Sequence, residues 1–156
     1  MNINLGIVGA MSAAVLMGTA SLAEVTASNA STILDALHEY GYTGTMEKDS
    51  DGDPKIASKV SKTDFDVYFY GCTENTNCKS VIFKAGYNLK NGISALKINE
   101  WNRNKRFSRA YIDDESDPFL EMDVNLDYDG VGSENFQDTL DWWRVSVENF
   151  EDFIDW

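Results

Sequence analysis

Three things are scarce in this 156-residue sequence: histidine, cysteine and basic side chains. There is one His, there are two Cys, and 13 Lys and Arg stand against 26 Asp and Glu. The formal net charge of −13 argues against nucleic acid as a partner, because phosphate binding needs a positive footprint. The single histidine, His38, lies in a helical stretch with no Ser or Cys pattern arranged around it, so nothing points to a nucleophilic triad. Acid pairs could in principle run glycoside chemistry, but among 26 acidic residues a pair at a useful distance arises by chance. No catalytic residue and no cofactor is expected.

Charge is also absent from the N-terminus: the first 23 residues carry no ionisable side chain. Residues Leu5 to Leu22 are apolar and small, and Ser21-Leu22-Ala23 puts small residues at the two positions a signal peptidase inspects. We read residues 1–23 as a secretory signal peptide cut between Ala23 and Glu24, with an uncleaved membrane anchor as the alternative. No Cys follows the apolar run, so a lipid anchor is not suggested. Cleavage leaves 133 of the 156 residues, enough for one core that buries roughly two-thirds of the chain's surface. The expected location is the bacterial periplasm or the exterior, with no membrane insertion after cleavage.

The remainder alternates helical and extended patterns. Residues 24–30 read as a flexible lead. A helix is expected from Ser31, its cap, to Tyr40, with Ile33, Leu34, Leu37 and Tyr40 on one face and Gly41 stopping it. The run KDSDGDP is a turn. Its alternating Asp49, Asp51 and Asp53 suggest a calcium loop, but the sixth and twelfth positions hold Pro54 and Val60 where an EF-hand needs Gly and Glu. A strand follows over Lys55–Val60. Period-2 patterning then marks two longer strands, with Phe65, Val67 and Phe69 sharing one face and Val81, Phe83, Ala85 and Tyr87 the matching face.

The two cysteines sit at the turn between these strands. If Cys72 faces Cys78, then Phe69 faces Val81, Val67 faces Phe83 and Phe65 faces Ala85, three apolar pairs on one face. That consistency, in an exported chain, reads as a disulfide. Five intervening residues with no neighbouring His suit zinc poorly, and a redox pair usually has two intervening residues at a helix N-terminus.

A second helix is expected over Gly92–Asn102, then a basic stretch containing Arg103, Lys105, Arg106 and Arg109. Strands follow over Phe107–Ile112 and Phe119–Tyr128. In the last strand Leu120, Met122, Val124, Leu126 and Tyr128 alternate with polar residues. A symmetric hairpin sets Ala110 opposite Leu120 and Arg109 opposite Glu121, which gives the basic cluster a role in cross-strand pairing. The last helix begins after Gly132 with Ser133 as its cap. Phe136, Leu140, Trp143, Val147, Phe150 and Ile154 span about 80° of it, a core-facing stripe. Trp142, Val145, Phe153 and Trp156 form a second apolar strip. Either a curved sheet covers it, with Trp156 frayed, or it meets a partner.

The stretches DGDP, FDVYFYGC leading to CKSVIFKAGY, INEWNRNKRFSRAYID and DPFLEMDVNLDYDG, with the final aromatic helix, resemble the YbjN-domain proteins, described as bacterial sensory-transduction regulators. The resemblance runs from about Thr32 to Phe153, and INEWN…RF is its most specific part. It implies an α+β domain of order α-β-β-β-α-β-β-α, a five-stranded antiparallel sheet with packed helices, similar to the type III secretion chaperones. Such folds pair as dimers and bind polypeptides. It carries links to stress response and motility and no catalytic residues. The expected function is a non-enzymatic interaction module, whose partner is a protein or peptide or a second copy. The partner contacts would be Trp142, Phe153 and Trp156, then Trp101, Asn102 and Arg106. The alternative is a small-molecule or cation sensor using the acid-rich turns at 49–53, 113–117 and 127–129.

Overall fold

The computed structural model describes residues 24–156; the expected leader, with Ala23 of its cleavage site, lies outside the described residues. The chain runs β1 (Glu24–Val25), α1 (Ala30–Glu39), β2 (Thr43–Lys48), β3 (Pro54–Val60), β4 (Thr63–Tyr70), β5 (Ser80–Gly86), α2 (Ala95–Asn104), β6 (Arg109–Ile112), β7 (Pro118–Asn125), β8 (Val131–Gly132) and α3 (Ser133–Ile154). This is the expected α+β class. Six strands form one antiparallel sheet in the order β2-β3-β4-β5-β7-β6, and β1 pairs with β8 in a separate two-stranded ribbon.

The main sheet thus has six strands where five were expected, and the extra one is β2. Five of its six residues are exposed, with no apolar alternation to reveal it. It is an edge strand, held by the backbone ladder to β3 and by α1 on its helix side. Gly44 permits that approach, since a Cβ there would lie 2.6 Å from Leu34 Cδ1. The expected flexible lead is also corrected. Glu24 and Val25 pair with Gly132 and Val131, and Val25 and Ala27 are buried in the core. A two-residue strand leaves no periodicity to read. α1 starts one residue earlier than expected, capped by Asn29, whose side chain accepts from the Ser31 N–H, and α3 has Gly132 rather than Ser133 at its cap.

Register follows the apolar pairs. Phe69 faces Val81 and Val67 faces Phe83, as the hairpin required, and a Cys72–Cys78 disulfide closes its loop. Ala110 faces Leu120 and Arg109 faces Glu121. One face of the sheet is therefore continuously apolar, and α3 lies over it. Phe136, Leu140, Trp143, Val147, Phe150 and Ile154, the predicted stripe, are all buried. Trp143 packs against Phe65 and Phe83 at centroid distances of 5.6 and 5.7 Å. Truncating an aromatic of this kind costs about 3–5 kcal/mol through lost transfer and a residual cavity.

The other sheet face is wet. A row crosses it in register: Thr45, Ala57, Asp66, Lys84, Glu121, Arg109. Its charges alternate and pair. Lys84 lies 3.4 Å and Arg109 2.6 Å from the Glu121 carboxylate, and Lys55 bridges Glu47 and Asp66 at 2.9 and 3.4 Å. The predicted strand to Tyr128 ends at Asn125. Leu126 stays buried, but Tyr128 is 90% exposed, because the chain turns at 127–130 and the alternation stops.

Candidate functional site

The segment between α2 and β6 is the most distinctive surface of the molecule. Ser94 caps α2 by accepting from the Lys97 N–H, and Ile98 and Trp101, three residues apart, point inward. The helix ends at Asn104, where Lys105 turns extended. Sequence patterning puts Phe107 at the start of a strand. Instead the strand begins at Arg109, and Phe107 lies in the preceding loop at φ 68°. A bulky aromatic residue in the left-handed region carries strain of about 1–2 kcal/mol, which the surroundings must impose.

Asn102 imposes it. Its Nδ2 donates to the Ala110 carbonyl at 2.9 Å, and its Oδ1 accepts from the Ala110 N–H at 2.8 Å. The side chain thus pairs with β6 as a neighbouring strand would, and residues 105–108 make a tight excursion between helix and strand. Phe107 is thrown outward, half exposed, and stacks on Trp142 of α3 at 4.5 Å and 29°. The Arg106 guanidinium sits 4.9 Å from the Phe107 ring, and Lys105 lies 5.4 Å from the Trp101 ring. The result is an exposed aromatic ridge.

The ridge separates two clefts. One, of about 260 Å³, is lined by Trp101, Lys105, Arg106, Phe107, Trp142 and Ser146 among others. The other, of about 320 Å³, shares Phe107 and Trp142 but has Asp123 and Asp138 along its wall. The first is rimmed by cations and the second by carboxylates. A larger cleft of about 410 Å³ lies on the wet sheet face, but Lys59 and Asp64 in its wall are paired with each other, as Asp66 is with Lys55 and Lys84 with Glu121. There the Tyr111 hydroxyl donates to Glu121. Burial and that carboxylate hold it above its usual range, against the opposing pull of Lys84. Burial works against the Lys84 charge, but Tyr111 and Glu121 outweigh it and hold its ammonium above its usual range. Every strong group on that face is thus engaged.

The six residues expected to meet a partner divide. Trp142 and Arg106 come together at the ridge. Trp101, 1% exposed, is no projecting contact: it is packed against Phe150 and Phe153 at 4.9 and 5.5 Å and forms the buried wall of the basic cleft. Asn102 spends its polar atoms on Ala110. Phe153 is half-buried under Lys97, 4.3 Å away. Trp156 is exposed but lies on Tyr87 at 5.3 Å, away from the ridge residues. Phe107 was not foreseen; its adjacency to Arg106 in INEWNRNKRF was the available signal. Of the basic cluster only Arg109 performs the predicted pairing, while Arg103, Lys105 and Arg106 make no ion pair among the described residues.

In the acid-rich turns, Asp49 Oδ1 accepts from the Asp51 and Asp53 N–H groups, and Asp113 Oδ1 from those of Glu115 and Asp117. These carboxylates fold turns. Among the described residues no three His, Cys, Asp or Glu side chains converge as a metal site would, and no helix is long and apolar enough to cross a membrane.

No curated protein matches the chain. A family model does, over residues 29–156, and so takes in both sheet faces, all three helices and the ridge. The chain belongs to the YbjN family, described as “Putative bacterial sensory transduction regulator”.

Proposed function

We propose that this protein is a non-enzymatic interaction module of the bacterial envelope, periplasmic or secreted, that serves regulation by binding a polypeptide at the Phe107–Trp142 ridge. The observation that carries the reading is the ridge itself. Two large aromatic rings are held half exposed and stacked, one of them on strained backbone with a guanidinium beside it. Exposed aromatic and Arg side chains clustered at a cleft are what dominate binding energy at protein interfaces. Membership of a regulator family and the charge-free N-terminal stretch support the role and the location respectively.

The test is photo-crosslinking in living cells, with p-benzoylphenylalanine placed at position 107, at position 142, or at position 59 on the wet sheet face. Discrete adducts at 107 and 142 and none at 59 are expected. Adducts at 59 alone, or at none of the three, would sink the reading. A partner whose adduct survives Phe107→Ala at equal intensity when the probe is at 142 would move the site elsewhere.

A further inference from the structure

The basic cleft beside the ridge has Trp101, 1% exposed, as its wall. Around the same cleft stand Lys105 and Arg106, exposed and without ion pairs, in a molecule whose formal net charge is −13. Arg103, in the last turn of α2, precedes them in the chain, and it too is unpaired among the described residues. Elsewhere on the sheet, Lys55, Lys59, Lys84 and Arg109 each have an acidic partner. A cation-rimmed, aromatic-walled cleft of about 260 Å³ is therefore cut into an otherwise acidic protein.

Resting on the ridge reading above, we infer that the occupant of this cleft is an acidic polypeptide segment in which an Asp or Glu neighbours an aromatic or large apolar residue. The carboxylate lies between the Lys105 and Arg106 head groups. The apolar neighbour packs on Phe107 and Trp142. Charge complementarity fixes the sign: a basic segment would meet Lys105 and Arg106 as like charges, and a neutral one would leave the cationic rim unanswered. The cleft volume admits one or two side chains, so recognition is of a short motif rather than of a folded face.

The experiment is selection from a random-peptide display library on the purified protein, with counter-selection on the Lys105→Glu, Arg106→Glu variant. Peptides carrying Asp or Glu beside an aromatic residue are expected to be enriched. Replacing that acid by its amide should weaken binding about tenfold or more, and rising salt should weaken it further. Enrichment without acidic residues, equal binding of acid and amide, or no enrichment over the charge-reversed variant would each overturn the inference. So would vesicles of anionic phospholipid competing fully with the best peptide, or a concentration-dependent dimer in light scattering that the charge reversal dissolves. If crosslinks at 107 and 142 persist while the acid makes no difference, the ridge reading stands and this one falls. If those crosslinks are absent, the ridge itself is wrong.

Discussion

Arg106 and Arg109 are three residues apart, and they lead opposite lives. Arg109 lies in β6, in register with Glu121, and its guanidinium bridges Glu121 and Asp123 at 2.6 and 3.1 Å. Arg106 lies on the loop before it, over Phe107, with no carboxylate partner among the described residues. A sheet sets neighbouring side chains about 5 Å apart, so charges of alternating sign across it neutralise each other as a consequence of register. A loop held in a strained conformation has no such neighbours, and its charges remain available. For these two residues, the element beneath each decides whether its charge is paired.

The contrast predicts opposite outcomes on the two sides. The largest effect belongs to the wet sheet face. Glu121 is buried and accepts from Arg109, Lys84 and Tyr111. Glu121→Ala should lower stability by about 2–3 kcal/mol in chemical denaturation, because it strands a hydroxyl and two cations. Arg106→Ala should change it by less than about 0.5 kcal/mol. Equal losses would erase the distinction. Next is Asn102→Ala, which removes both bonds to Ala110 and should cost about 1–2 kcal/mol. Amide exchange at Ala110 should rise with it, while exchange across β4 and β5 stays slow.

A smaller effect tests burial without pairing. Tyr87 is 2% exposed, its hydroxyl has no hydrogen-bond partner among the described residues, and burial, with the nearby Glu151 charge, pushes its ionisation far above the usual value. The neutral form is the one the fold holds. Stability is therefore full below the unfolded tyrosine pKa, near 10, and falls as pH rises above it. Tyr87→Phe should leave stability at pH 7 unchanged or raise it by up to about 1 kcal/mol, and should flatten the loss measured above pH 10. The smallest effect on stability is Phe107→Gly. Relief of the left-handed backbone, about 1 kcal/mol, offsets the lost stack on Trp142, about 0.5–1.5 kcal/mol. Denaturation should barely move, whereas crosslinking from position 142 should disappear.

The same contrast explains what patterning revealed. Register within the β4–β5 and β6–β7 hairpins was legible, because each strand alternates and one misplaced residue would turn a row of Phe and Val into water. The α3 stripe was legible for the same reason at helical period. β2 was not, since an edge strand exposed on both sides has no apolar alternation. β1 and β8 are too short for any period. At the site, Trp142 and Arg106 stood out by composition, but Phe107 was absorbed into the strand pattern. Its positive φ is set by a bond from Asn102 to a residue eight positions on. Such a constraint lives in tertiary geometry and leaves no local mark.

The position of α3 also orders events in time. The apolar sheet face is finished by β7, yet the helix that covers most of it is the final 22-residue element, Ser133–Ile154. A chain emerging from the ribosome can zip its hairpins one after another, but their greasy side stays in water until α3 has been made. The domain is therefore incomplete before that helix, and a truncation within it leaves a sticky sheet rather than a smaller protein.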